Sequence, residues 1–226
     1  MTLRVTQQAA EVLLTGTPQV RATQQTIEVL RSTYDVYPIT VAIANPGAES
    51  FATGNEPSSW TETSGDWESV TSASGDFPLG SAHEGARFFY QQGAASEAVL
   101  EQIVQLYNVP RDDLDAGGLI ADLSAWQAHN FADDEGQIIA EFLDTDGSLL
   151  GTIATPLQHV GTSGWVHVTA SGAMPPGARH VRIRLRALLV GGTVPNVAFD
   201  DFSLTVREQL TGGSGGPSAV WIVVAL

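Results

Sequence analysis

Five histidines, His83, His129, His159, His167 and His180, supply all the imidazoles of the chain, and cysteine is absent. Disulfides, thiolate zinc sites and cysteine nucleophiles are therefore excluded. The histidines are scattered, and none has the H-E-x-x-H or paired spacing that sets two imidazoles on one ion. Sheet-surface or loop positions are expected for all five. Ser214 sits in Gly-Gly-Ser-Gly-Gly, which matches G-x-S-x-G in letters. A nucleophile elbow needs a strand before its serine and a helix after it, and glycines flank this one instead. Acids gather in two runs, Asp112, Asp113 and Asp115, and Asp133, Asp134 and Glu135. A glycosidase pair must face across a cleft of roughly 5–10 Å, which local spacing does not supply. Both runs read as solvated, acid-rich loops, with a second cation site as the functional alternative. No residue is assigned a catalytic role, and a non-enzymatic protein is expected.

Saccharide binding asks for a different set: a flat ring for the sugar face, with amides or acids for the hydroxyls. Trp126 with Gln127 and Asn130, together with Tyr90 and Tyr107, meets that description. The competing role for each ring is to fill a core, and Trp60, Trp67 and Trp165 lean that way. Arg182, Arg184 and Arg186 alternate with Val181, Ile183 and Leu185. The arginine face suits acidic sugars or a neighbouring subunit, or pairs with carboxylates such as Glu141 on an adjacent strand.

These residues must be positioned by strands. The alternation in "HVRIRLRAL" has the period of two of a half-buried strand. "GQIIAEFLDTDGSLLGTI" reads as a hairpin turning at Asp146-Gly147. "GWVHVTA" and "VAFDDFSLTV" are further strands, and "SEAVLEQIVQLY" is read as a strand although its composition also suits a helix. Many short strands with Gly and Pro turns point to a sandwich or jelly roll. At 226 residues the chain holds one large domain plus appendages. All ten bases are arginine against 25 acids, a net charge of −15. Phosphate backbones repel such a chain, so no nucleic-acid partner is expected. The opening "MTLRVTQQ" has no charged-then-apolar export pattern. The apolar end, "SAVWIVVAL", is shorter than the ~20 residues of a spanning helix, so no membrane anchor is expected there. Its β-branched residues suit a buried strand, either in its own sheet or added to a neighbour's. "TGGSGG" before it is a flexible linker.

The first residues contain a duplication. Leu3-Arg4-Val5-Thr6-Gln7-Gln8-Ala9-Ala10-Glu11-Val12-Leu13 aligns with Val20-Arg21-Ala22-Thr23-Gln24-Gln25-Thr26-Ile27-Glu28-Val29-Leu30. Each copy is expected to form strand, tight bend, strand, with Gly16, Thr17 and Pro18 turning the chain between copies. Isolated hairpins are marginal in water, and repeats that cannot close their own core need neighbours. Arg4, Thr6, Gln7, Gln8, Val12, Leu13, Arg21, Thr23, Gln24, Gln25, Val29 and Leu30 are therefore the candidate docking and oligomerisation residues. Three zones result: a docking arm over 1–37, a β-domain over 38–208, and the linker with its apolar end over 209–226.

Two resemblances extend this reading. "NPGAES" from Asn45, Trp60 and "GDWE", then "ADLSAW", "DDEGQIIAEFLDTDG", "MPPGARHVRIRLRA" and finally "AFDDFSL" resemble, in order and spacing, the galactose-binding-like jelly rolls of carbohydrate-binding modules, over about Pro38 to Val206. Ala48 departs from the pattern, which usually has a large apolar residue there. The resemblance implies an all-β jelly-roll sandwich, carrying here an N-terminal β-hairpin arm and a C-terminal apolar strand. It also implies a structural calcium ion held by Glu49 and Asp200 or Asp201, with main-chain carbonyls completing an oxygen shell. The duplicated start resembles N-terminal segments of tailed-bacteriophage virion proteins, where arginine-led TQQ…EVL copies precede a variable β-domain. That implies a virion structural protein in a capsid, neck or tail appendage, a homo-oligomer (a trimer) joined to other virion proteins, with possible contact to a host surface glycan. A free carbohydrate-binding module, or the binding domain of a cell-wall-directed enzyme, is the alternative.

Overall fold

The duplicated segments are the two strands of one antiparallel hairpin, β1 (Leu3–Leu13) and β2 (Gln19–Val29). The structure is a computed structural model; it describes the backbone of these strands and, with side chains, residues 37–71, 81–129, 133–160 and 164–209. The expected bend inside each copy is not there: each runs straight for 11 residues. The reason lies in the pairing. Two copies of one sequence laid antiparallel are nearly symmetric about their centre. Gln7 therefore stands opposite Gln25 and Gln8 opposite Gln24, while Arg4 stands opposite Glu28 and Glu11 opposite Arg21. A register that sets positions of opposite charge across from one another is favoured, and a bend in either copy would break it. The docking positions other than Leu30 lie on these strands; Leu30 and the turn expected at 16–18 fall outside the described residues. The hairpin belongs to a unit Met1–Tyr37, distinct from a second unit, Pro38–Leu226.

The second unit is a sandwich of two antiparallel sheets. Its strands are β3 (Ile39–Thr40), β4 (Thr61–Ser64), β5 (Trp67–Thr71), β6 (Arg87–Gln91), β7 (Glu97–Gln105), β8 (Leu119–His129), β9 (Glu135–Leu143), β10 (Leu149–Ala154), β11 (Val166–Met174), β12 (His180–Leu188) and β13 (Val197–Glu208). One sheet has the order β10-β9-β12-β7-β4, and the other β11-β8-β13-β6-β5 with β3 added on β13. The second unit is thus an all-β jelly-roll sandwich with, among the described residues, one short α-helix, α1 (Arg111–Ala116). That helix corrects the loop expected at Asp112, Asp113 and Asp115: the amides of Asp113 and Leu114 donate to Pro110 O at 3.1 Å and start a helical turn, with Pro fixing the entry angle. The expected C-terminal strand falls outside the described residues.

Period-two alternation builds the core. On β12, Val181, Ile183, Leu185 and Ala187 are all fully buried, while Arg182 and Arg184 reach Glu141 and Arg186 reaches Glu97 on the outer face. Phe89, Phe142 and Phe199 fill the space between the sheets, and truncating such a ring costs ~3–5 kcal/mol. A second apolar cluster lies on the outside of the β8–β13–β6 sheet. Val70, Phe88, Tyr90, Ala128 and Ala198 pack there beneath Ala82 and Trp165.

Candidate functional site

Tyr107 carries the most exposed large ring among the described residues, 86% accessible. It sits at the turn between β7 and α1, which three contacts fix: Leu106 N donates to Arg179 O at 3.0 Å, Val109 N to Leu106 O at 3.2 Å, and Asn108 Nδ2 to Thr40 O at 2.6 Å. The ring borders a cavity of about 420 Å³ with an apolar floor of Leu106, Val109 and Leu114. Gln105, Arg111, Thr145, Arg179 and His180 supply its polar wall. Arg179 is held by Asp115 and by Ala178 O, while its buried Nε–H meets no acceptor. His180 donates from Nδ1 to Asp144 O at 3.2 Å, leaving Nε2 as its second polar atom.

The other candidate sugar-binding residues are not brought together. Trp126 lies on the outer face of β8, with His83 stacked on its ring at 3.7 Å and His167 tilted beside it at 5.0 Å. Gln127, one residue on, points into the sandwich and is fully buried. Tyr90 is buried in the outer cluster, and its hydroxyl contacts Asn196 Oδ1 at 2.9 Å. Asn130 lies outside the described residues.

The acids of the final strand sit on a bulge. Asp200 pairs with Trp126 and Ser203 with Ser124, so β13 spends one extra residue there, and Asp201 takes a positive φ of 48°. The bulge resets the alternation so that Phe199 and Phe202 are both buried. Asp200 accepts from the amides of His83 at 2.9 Å, Glu84 at 3.3 Å and Asp201 at 2.9 Å. Asp201 Oδ2 accepts from His83 Nδ1 at 2.5 Å. Glu49 Oε1 accepts from the amides of Ala86 and Arg87 at 2.9 and 3.0 Å. Burial, and then the neighbouring Asp201 charge, push the Asp200 carboxyl up to about 7. Glu49, Glu84 and Asp201 line one cavity of about 350 Å³. A Cβ added at Gly47 would come within 3.3 Å of Asp200 Oδ1 and 3.4 Å of Asp201 Oδ1, so two carboxylate oxygens turn to the same spot. These donors fit a hard cation. No three acids or histidines among the described residues are grouped to chelate one by themselves, so main-chain and solvent oxygens would complete the shell.

Sequence reasoning missed a buried polar node at the other end of β8. His129, expected at a sheet surface or loop, is fully buried. Gln127 Nε2 donates to Gln158 O at 3.1 Å and lies 2.8 Å from His129 Nε2. That nitrogen is therefore the unprotonated one, and His129 Nδ1 lies 2.7 Å from His159 Nδ1, which is itself 3.1 Å from Asp134 O. Burial and the adjacent His159 lower the His129 pKa to about 4. Asp134, expected in a solvated loop, is also fully buried and accepts from the amides of Val190, Gly191 and Asn196. The signal for His129 was present: Leu119, Ala121, Leu123 and Ala125 all face inward, and the same parity carries on to Gln127 and His129.

A third cavity, of about 470 Å³, is lined by Glu56, Glu62, Trp60 and Trp67. Trp60 stacks edge-on against Phe89 and Phe202, as expected of a core ring.

No protein-family model matches the sequence, and no curated protein matches it. Solved structures do share the fold. A cyclase from Fischerella sp. TAU superposes with a TM-score of 0.58 at 16% identity, over 76% of this chain and 98% of that one. The enzymatically active domain of the bacteriophage CBA120 tailspike protein 4 gives 0.50 at 15%, over 74% of this chain and 21% of that one. A xylan-binding domain from Paenibacillus barcinonensis gives 0.45 at 12%, over 75% and 94%. At such identities the likeness is one of fold.

Proposed function

We propose that this chain is a non-enzymatic glycan-binding appendage of a tailed-phage particle, which reads saccharide with its sandwich and is anchored by its N-terminal hairpin. The observation that carries the glycan reading is the Tyr107 cavity. An accessible ring is held on a fixed turn beside an amide, a hydroxyl, an imidazole and two guanidinium groups. A pyranose stacks its C–H face on such a ring and presents its hydroxyls to the polar wall. Anchoring is supported by the hairpin: two strands bury too little apolar surface to be stable alone in water, so β1 and β2 need a partner surface, from sister chains or other virion proteins. The particle assignment draws on the resemblance of the duplicated start to virion proteins and on the fold shared with a tailspike domain. A free carbohydrate-binding module lacks any need for the arm, which separates the two readings.

The acid bulge is proposed to hold calcium, with Asp200, Asp201 and Glu49 as the side-chain oxygens. The ion would neutralise the carboxylates that now crowd one another and pin the 83–87 loop to the start of the sandwich.

The test is a glycan array probed with the full-length chain and with Tyr107→Ala. Selective binding that disappears in the variant is expected. Silence of the full-length chain removes the glycan reading and leaves a purely structural role.

A further inference from the structure

Resting on the glycan reading of the same site, we infer that the Tyr107 cavity selects an anionic sugar, a pyranose bearing a ring carboxylate such as a uronic acid. The charge on its wall is the reason. The chain as a whole carries −15, and two further cavities are acidic, one lined by Glu56 and Glu62 and the other by Glu49, Glu84 and Asp201. The wall beside Tyr107 has Arg111, Arg179 and His180, and no carboxylate.

Arg111 is the informative residue. Arg87 is bound to Ser69 and Asn55, Arg179 to Asp115, Arg182 and Arg184 to Glu141, Arg186 to Glu97, and Arg207 to Asp122. Among the described arginines, Arg111 alone has no hydrogen bond or ion pair. A guanidinium carries a planar fork of donors matched to a carboxylate, and a bidentate pair is stronger than a neutral hydrogen bond. Arg179 adds positive charge to the same wall, with Asp115 and the Ala178 carbonyl on its terminal nitrogens.

Asp112 and Asp113 stand on α1 in sequence beside Arg111 and do not line the cavity. They weaken the long-range field, so selection acts through contact with the bound carboxylate rather than through steering. Stacking on Tyr107 fixes the ring plane, and the fork of Arg111 reads the substituent.

The experiment uses the full-length chain. An array carrying oligogalacturonate, sialyllactose, a sulfated galactan and neutral xylo- and galacto-oligosaccharides is read first. The responding carboxylated glycan is then titrated beside its methyl ester, which keeps the ring and removes the charge. Binding is expected to favour carboxylated members, with the methyl ester weaker by on the order of tenfold or more. Arg111→Gln, an exposed change that leaves the turn intact, lowers affinity for the acid to the level of the ester and leaves the ester unaffected. Tyr107→Ala weakens both. Responses confined to neutral or sulfated glycans, equal affinity for acid and ester, or indifference to Arg111→Gln overturn the carboxylate inference while the glycan reading stands. Absence of any saccharide response removes both.

Discussion

His83 lies flat on the indole of Trp126, the two rings 3.7 Å apart and 15° from parallel. Asp201 holds the same imidazole through Nδ1. The tryptophan that looked best suited to a sugar is thus already stacked on a side chain of its own protein, and it ties the 81–87 loop to the sheet. Tyr107 has no such cover. The two rings should therefore separate stability from recognition. Trp126→Ala is expected to cost ~2–4 kcal/mol in unfolding experiments while glycan affinity stays within a factor of about two. Tyr107→Ala should leave the melting temperature nearly unchanged and weaken binding. Loss of binding in Trp126→Ala at full folding would return the sugar to the β8 face.

The acid bulge predicts a calcium-dependent melt. EDTA should lower the melting temperature at pH 8, and added calcium should restore it. Asp200→Asn removes a carboxylate that is fully buried and pushed up to about 7. That variant should be insensitive to EDTA. An identical melt with and without the chelator, for the wild-type chain, argues against the ion.

The buried node predicts a pH profile. His129 titrates near 4 in the folded chain against 6.5 ordinarily. Above 6.5 both states are neutral at this position and it has no effect. Between 6.5 and 4 the unfolded chain takes up a proton that the folded chain refuses, so stability falls as the pH falls, by ~3 kcal/mol at most. Chemical denaturation from pH 7 to 4 should show this slope, and His129→Gln should flatten it. An unaltered slope in the variant would place the acid sensitivity elsewhere.

Asp134 gives a prediction about a loop. Its carboxylate gathers the amides of Val190, Gly191 and Asn196. Asp134→Ala leaves those donors unpaired and should destabilise the protein by ~2–4 kcal/mol, with faster amide exchange over 189–197. Unchanged exchange there would show that the loop holds itself.

Removal of residues 1–37 should leave a folded sandwich with an unchanged melt. Light scattering of the full-length chain should report a multiple of the monomer mass, and of the shortened chain a single one. Equal masses would show that the hairpin is not what assembles.

Strand parity made most of the sandwich legible. The Val181–Ile183–Leu185 alternation and the Asp146-Gly147 turn fall where the letters place them. Asp200 and Asp201 were visible as a pair, but the bulge they sit on was not, because one extra residue in a ladder leaves no mark in composition. Asp134 differs from Asp133 in nothing the local sequence records; its burial comes from a loop more than fifty residues away. The straight run of each repeat follows from pairing with the other copy, a contact that neither copy encodes alone. Tyr107 was one of several candidate rings, and only the fold tells a free ring from a packed one.

The most direct measurement is a calorimetric titration of the intact chain and of Tyr107→Ala against the oligosaccharide that responds most strongly on the array. Saturable binding by the intact chain, weakened on the order of tenfold or more in the variant, is the predicted result. Equal affinities for the two proteins would contradict the account.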